Sequence, residues 1–206
     1  MSFLADLEAS GLAHRWFVAM PLGELDKSCC PQAQTTVIDF DHTKTKLGRV
    51  PTPKSCDALK ILASQQRLDF IEMKSWHEFM RRNPPAAIPA QISKFDLKRK
   101  ITDSLGVLQD LVMRVESNAL PAYLETDKYY IVLIDINLQQ NPLQHLAISL
   151  EFLSQTATPM PQQIVQALSK ELDAMPDLVA KLHPPLLKNC LDIDAYYATL
   201  AGGRVS

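Results

Sequence analysis

Asp57 and, fifteen residues later, the triplet Glu72-Met73-Lys74 are the residues of this chain whose types and spacing could do chemistry. Ser55-Cys56 precedes the Asp, and the apolar run Leu68-Asp69-Phe70-Ile71 leads straight into the Glu, as a strand would. Residues two apart on a strand share a face, so Glu72 and Lys74 project together while Met73 points the other way. Two carboxylates and a backbone carbonyl, that of Met73, suit a hard divalent cation such as Mg²⁺ or Mn²⁺, which prefers oxygen ligands and keeps several waters. Such an ion would polarise a phosphoryl oxygen and acidify a bound water, while Lys74 orients that water or offsets developing negative charge. The bland alternative is an exposed Glu72–Lys74 ion pair on an edge strand.

The charge distribution favours a polyanionic substrate at this place. The chain has 206 residues, a formal net charge of -2 and a pI near 6.2, yet residues 42–100 carry thirteen Lys/Arg against five Asp/Glu. The segments on either side are both net acidic. A basic stretch alone is usually a solvated face; its overlap with Asp57, Glu72 and Lys74 is what gives it weight. At 47% apolar residues the chain can build a sizeable core. It has no apolar run of membrane-spanning length and no basic-then-apolar leader, so a cytoplasmic protein without membrane contact is expected. Cys29, Cys30, Cys56 and Cys190 form no CxxC pair, and free thiols in a reducing compartment are the simplest reading.

The elements that must position these residues follow from pattern. Residues 2–17 read as an amphipathic helix, and residues 35–40 as a short strand. Lys46 to Lys54 reads as a loop, with Gly48, Pro51 and Pro53. Cys56 to Ala63 and Arg67 to Lys74 read as an antiparallel hairpin joined by Ser64-Gln65-Gln66. Pro84, Pro85 and Pro89 predict a loop, followed by one long helix from Ser93 to Val115 with Ser93 and Asp96 resembling a capping box. Tyr129 to Ile136 reads as a buried strand, and the chain beyond Pro142 as three helices. Residues 1–140 would form the core, with 141–206 a helical extension packed on the same domain and able to support a homodimer.

This order of helix, three strands, helix and strand resembles the core of the PD-(D/E)xK nuclease superfamily over roughly residues 2–137, with Asp57 on the second strand and Glu72-x-Lys74 on the third. Cys56 stands where the Pro of the superfamily's name would be. The resemblance implies an α/β, restriction-endonuclease-like αβββαβ core with a mixed central sheet flanked by helices. It further implies a Mg²⁺-dependent nuclease that cuts nucleic acid, DNA being the expected substrate. Asp57, Glu72 and Lys74 would be catalytic, with the metal on Asp57, Glu72 and Met73. Glu8 matches where some members place an additional acidic ligand, and Gln91, Lys98 and Lys100 border the helix where such enzymes put groups that contact phosphate. Two residues apart on a helix, Lys98 and Lys100 cannot share a face, so at most one is well aimed. Trp76 and His77 could stack on or bond to nucleic acid, though a lone Trp is more often packing.

A competing motif is Val37-Ile38-Asp39-Phe40-Asp41-His42-Thr43, which resembles the opening of haloacid-dehalogenase-type phosphatases. That resemblance would make Asp39 a nucleophile and Asp41 a general acid/base. Its doubly wound parallel sheet and later paired acidic motif find no counterpart, since Asp135 stands alone in Leu133-Ile134-Asp135-Ile136-Asn137. A third possibility is a nuclease-like scaffold that binds without cutting. Phosphate-binding glycine loops, a HExxH zinc motif and a G-x-S-x-G elbow are absent from the sequence.

Overall fold

The strand expected over Arg67–Lys74 has those bounds in the computed structural model, which describes residues 4–7, 16–48, 52–115, 117–136, 158–175 and 178–202. It belongs to a mixed six-stranded sheet of an α/β fold, in which spatial order repeats chain order. The strands are β1 (Ala19–Pro21), β2 (Thr36–Asp39), β3 (Ala58–Leu62), β4 (Arg67–Lys74), β5 (Asp127–Ile134) and β6 (Leu186–Asn189). The first four form an antiparallel meander, and β5 and β6 each run parallel to the strand before them. Parallel neighbours need a crossover. Between β4 and β5 it contains α4 (Leu97–Val115). In the hairpin, the turn closes on Gln66 in the left-handed region at φ 52°.

Both faces of the sheet are covered, which is why β5 reads as a continuous apolar run. On one face, Leu68, Phe70, Tyr130 and Val132 pack under α1 (Phe40–Leu47), α3 (Ile88–Phe95), α4, α5 (Leu120–Glu125) and α6 (Met160–Asp173). On the other, Ala58, Ile71, Met73, Ile131 and Leu133 meet the β1–β2 loop and α7 (Ile193–Gly202). Strand alternation therefore puts Glu72 and Lys74 on the helix-covered face, and Arg67, Asp69 and Met73 on the opposite one.

Several expectations are corrected. The long helix is two helices: Asp96, in the left-handed region at φ 51°, ends α3 by donating its N–H to Ser93 O, so it is a C-terminal cap and not part of an N-terminal box. Pro89 does not hold Ile88 in a loop. It sits in the first turn of α3, where its missing N–H is no loss. His77–Arg82 forms a short helix, α2. Phe40 starts α1 in place of ending a strand, so Lys46 is helical as well. The first hairpin strand begins at Ala58, leaving Cys56 and Asp57 just ahead of it. At the N-terminus, residues 4–7 are helical, whereas Trp16 and Phe17 are not.

The C-terminal segment is not helical alone, because β6 extends the sheet. Cys30 and Cys190 are not free thiols: they are joined as a disulfide across 160 residues of sequence. The β1–β2 loop and the turn after β6 cross the same sheet face, a proximity that spacing cannot reveal. Among the described residues no helix is long and apolar enough to cross a membrane.

Candidate active site

Asp57 is held by a short strap, residues 54–57, laid across three elements. Against α4, the Lys54 N–H donates to Asp103 Oδ2 at 2.9 Å, and the Cys56 N–H to Ser104 Oγ at 2.8 Å. Against α1, Ser55 Oγ donates to Asp41 Oδ1 at 2.7 Å, and the Phe40 N–H donates to Asp57 O. Against β4, the Asp57 N–H bonds Ile71 O at 2.9 Å, while Asp57 Oδ2 accepts from the Met73 N–H at 2.6 Å. The side chain thus takes up a backbone donor left over where β3 pairing stops. A strand residue's N–H and C=O leave on the same edge, so the Met73 carbonyl faces the Asp57 side.

Glu72 is fully buried, and two lysines converge on one of its oxygens. Lys74 Nζ bonds Glu72 Oε1, and Lys100 Nζ, arriving from α4, bonds the same atom at 2.6 Å. Lys100 Nζ also lies 3.9 Å from Asp57 Oδ1, so a single ammonium bridges the two carboxylates. Ser104 fixes that register, because its hydroxyl donates to Lys100 O one turn earlier while accepting from the residue before Asp57. Lys74 is steadied from above by the Phe95 ring, 4.9 Å from its Nζ. Burial raises the Glu72 carboxyl above its usual range and the neighbouring Asp57 adds to this, with Lys74 and Lys100 opposing. For Lys100, burial pulls the ammonium down, but Glu72 and Asp57 outweigh it and the net shift is upward.

Glu72 Oε2 is buried and has no hydrogen-bond partner among the described residues. An orphaned carboxylate oxygen in the interior is destabilising unless something neutralises it. Asp57, Glu72 and the Met73 carbonyl are the all-oxygen donor set a hard cation takes, and the orphaned atom gives it a reason to bind. The residues present therefore fit a divalent ion. Tyr130 OH is likewise buried and unpartnered among the described residues, and Tyr130 belongs to the same face as Glu72.

The structure thus gathers Asp57, Glu72, Met73 and Lys74 and replaces Lys98 by Lys100. Lys98 is exposed and Gln91 half-buried, neither in contact with the carboxylates through any hydrogen bond or ion pair described here. Glu8 lies outside the described residues. Trp76 is fully buried, edge-on to Phe79 and Phe95, so it packs and does not stack on a ligand. His77 is exposed and pairs with Asp135. Asp135, unexplained by sequence, accepts from Ser75 Oγ and the Trp76 N–H, both at 2.7 Å, and so fixes the chain leaving Lys74. Ser104 carried no sequence signal, since its role depends on a helix laid over a strand.

Asp39 and Asp41 have other partners. Asp39 Oδ1 caps α1 through the His42 N–H at 2.8 Å, and β2 is antiparallel to both neighbours rather than central in a parallel sheet. Asp41, exposed, bonds Lys44 and Ser55. Burial raises its carboxyl, but these bonds and the Lys44 charge prevail and it stays below the usual range. On the opposite face of β4, Arg67 and Asp69 form a bidentate pair closed by Tyr196 and Tyr197 hydroxyls, so these tyrosines serve an internal network. Cys29 Sγ stands 3.4 Å from Cys190 Sγ and 3.7 Å from Cys30 Sγ, the one further cluster of potential metal ligands among the described residues. Two of the three are oxidised, and burial together with Asp135 pushes the Cys29 thiol up to about 12. No protein-family model, curated protein or solved structure matches the chain.

Proposed function

We propose that the protein is a divalent-metal-dependent nuclease that hydrolyses phosphodiester bonds, with DNA as its expected substrate, on a restriction-endonuclease-like core. One observation carries the reading: a fully buried glutamate with an orphaned oxygen, one strand away from Asp57 and flanked by Lys74. The meander β2–β3–β4 followed by α4 and parallel β5 supports it, as does the exposure of Lys46, Lys54, Lys94, Lys98 and Arg99 on α1, the strap, α3 and α4. Asp57, Glu72 and the Met73 carbonyl would hold Mg²⁺ or Mn²⁺. When bound, the ion supplies charge to a phosphoryl oxygen and acidity to a water. Lys74 aligns the attacking water and offsets charge as it develops; burial of Glu72 keeps competing water away from that contact.

The test compares the parent protein with Glu72→Gln and Lys74→Ala on linear, circular and single-stranded substrates with Mg²⁺ or Mn²⁺. Gln keeps volume and an acceptor for the lysines but removes the charge a hard cation requires. Each variant should lose cleavage by about 10²-fold or more while remaining folded. Phosphatase activity that disappears with Asp39→Asn but survives Glu72→Gln would transfer the assignment to the phosphatase reading. A parent protein that neither cuts nor binds metal would be a scaffold.

A further inference from the structure

We infer that Lys100 is a tethered counterion that holds the place of the divalent ion until a phosphodiester draws it away, so that metal and nucleic acid bind cooperatively. The inference rests on reading Asp57 and Glu72 as the metal centre. Lys100 Nζ is 2.6 Å from Glu72 Oε1 and 3.9 Å from Asp57 Oδ1, bridging the two carboxylates that would share the ion. Among the described residues it is the only lysine with contacts to both; Lys74 contacts Glu72 alone.

Charge balance makes the two occupants exclusive. Two carboxylates and two ammoniums form a neutral set, and adding a dication to all four would leave two uncompensated positive charges in a largely buried place. Withdrawal of Lys100 removes one of them, and one scissile phosphodiester compensates the other. The four-carbon stem of Lys100 lets its ammonium follow an adjacent phosphate of the same strand. Ser104 holds the backbone at Lys100 in place, so the exchange needs rotation of one side chain and no movement of α4. Because coupling between two ligands is reciprocal, nucleic acid must tighten metal by the same factor that metal tightens nucleic acid.

The experiment titrates Mn²⁺ into the full chain, following free Mn²⁺ by EPR, with and without a phosphorothioate DNA duplex. Lys100→Met should tighten Mn²⁺ without DNA by on the order of tenfold or more, since a unit charge next to the ion is removed. It should also shrink the tightening that DNA produces in the parent protein. Lys100→Gln serves as a second variant, thermal melting reports folding, and Lys170→Met, exposed on α6, controls for one surface charge. Unchanged or weaker Mn²⁺ binding in folded Lys100→Met and Lys100→Gln, with binding in the parent still lost in Glu72→Gln, overturns this inference and leaves the nuclease reading standing. Absence of Glu72-dependent Mn²⁺ binding in every variant overturns both.

Discussion

Asp135 is one residue whose work can be isolated from the chemistry. Its carboxylate gathers Ser75 Oγ and the N–H groups of Trp76 and His77 at the start of α2, replacing a capping side chain that the helix itself does not supply. Asp135→Ala should cost about 1–2 kcal/mol, seen as a Tm several degrees lower. Burial raises this carboxyl, but the hydrogen bonds prevail and hold it below its ordinary value of 3.8. The native state then binds fewer protons than the unfolded chain, so the contribution is complete above that value and disappears as pH falls through the native one. The Tm gap between parent and variant should therefore close in acid; a gap independent of pH would show that the carboxylate's charge is not what caps α2. Glu72 has the opposite sign, for burial raises it and its protonated form is favoured by folding. At this scale the sequence marked Asp57, Glu72 and Lys74 by type and spacing, whereas Asp135 looked like an isolated acid because its partners come from the end of the neighbouring strand.

The β1–β2 loop shows the limits of pattern at the scale of elements. A Cβ on Gly23 would lie 2.7 Å from Pro31 O and 3.0 Å from Ala33 O, both backbone atoms that cannot rotate aside. Gly23→Ala should destabilise the protein by about 1–3 kcal/mol, and a Tm equal to the parent's would mean the loop can open without loss. The same loop is tied to α7 by Asp194, which accepts from the Gln34 and Thr35 N–H groups. None of this follows from periodicity, which reads regular elements and is silent on coils. The hairpin was legible because Arg67–Lys74 combines β-rich composition with a polar turn before it. The break at Asp96 was not, because apolar spacing continues across it while a single left-handed residue redirects the axis. β6 escaped for a related reason: four residues beside Pro184-Pro185 are too few to show alternation, and only pairing with β5 makes them a strand.

Over the whole molecule, the Cys30–Cys190 bond joins positions 160 apart in sequence and closes a ring that encloses most of the sheet. Such a crosslink restricts the unfolded chain and contributes about 2–4 kcal/mol. A reducing agent, or Cys190→Ser, should lower Tm by on the order of 10 °C. Equal melting with and without reductant would mean that the two sulfurs are not joined in solution. The proposed cleavage should respond far less than stability, since Glu72, Lys74 and Lys100 lie on the face of the sheet opposite the one the bond crosses. The sheet's spatial order, repeating chain order, has a consequence in time. Each new strand on the ribosome finds its neighbour already made, and no earlier pair has to part to admit a later one. The segment carrying Asp57 through Lys100 emerges with its own hairpin and helix, and the latch at Cys190 follows after on the order of ten seconds of synthesis. During that interval the nascent protein already possesses every ionic group of the cluster around Glu72, while the opposite face of the sheet still waits for α7.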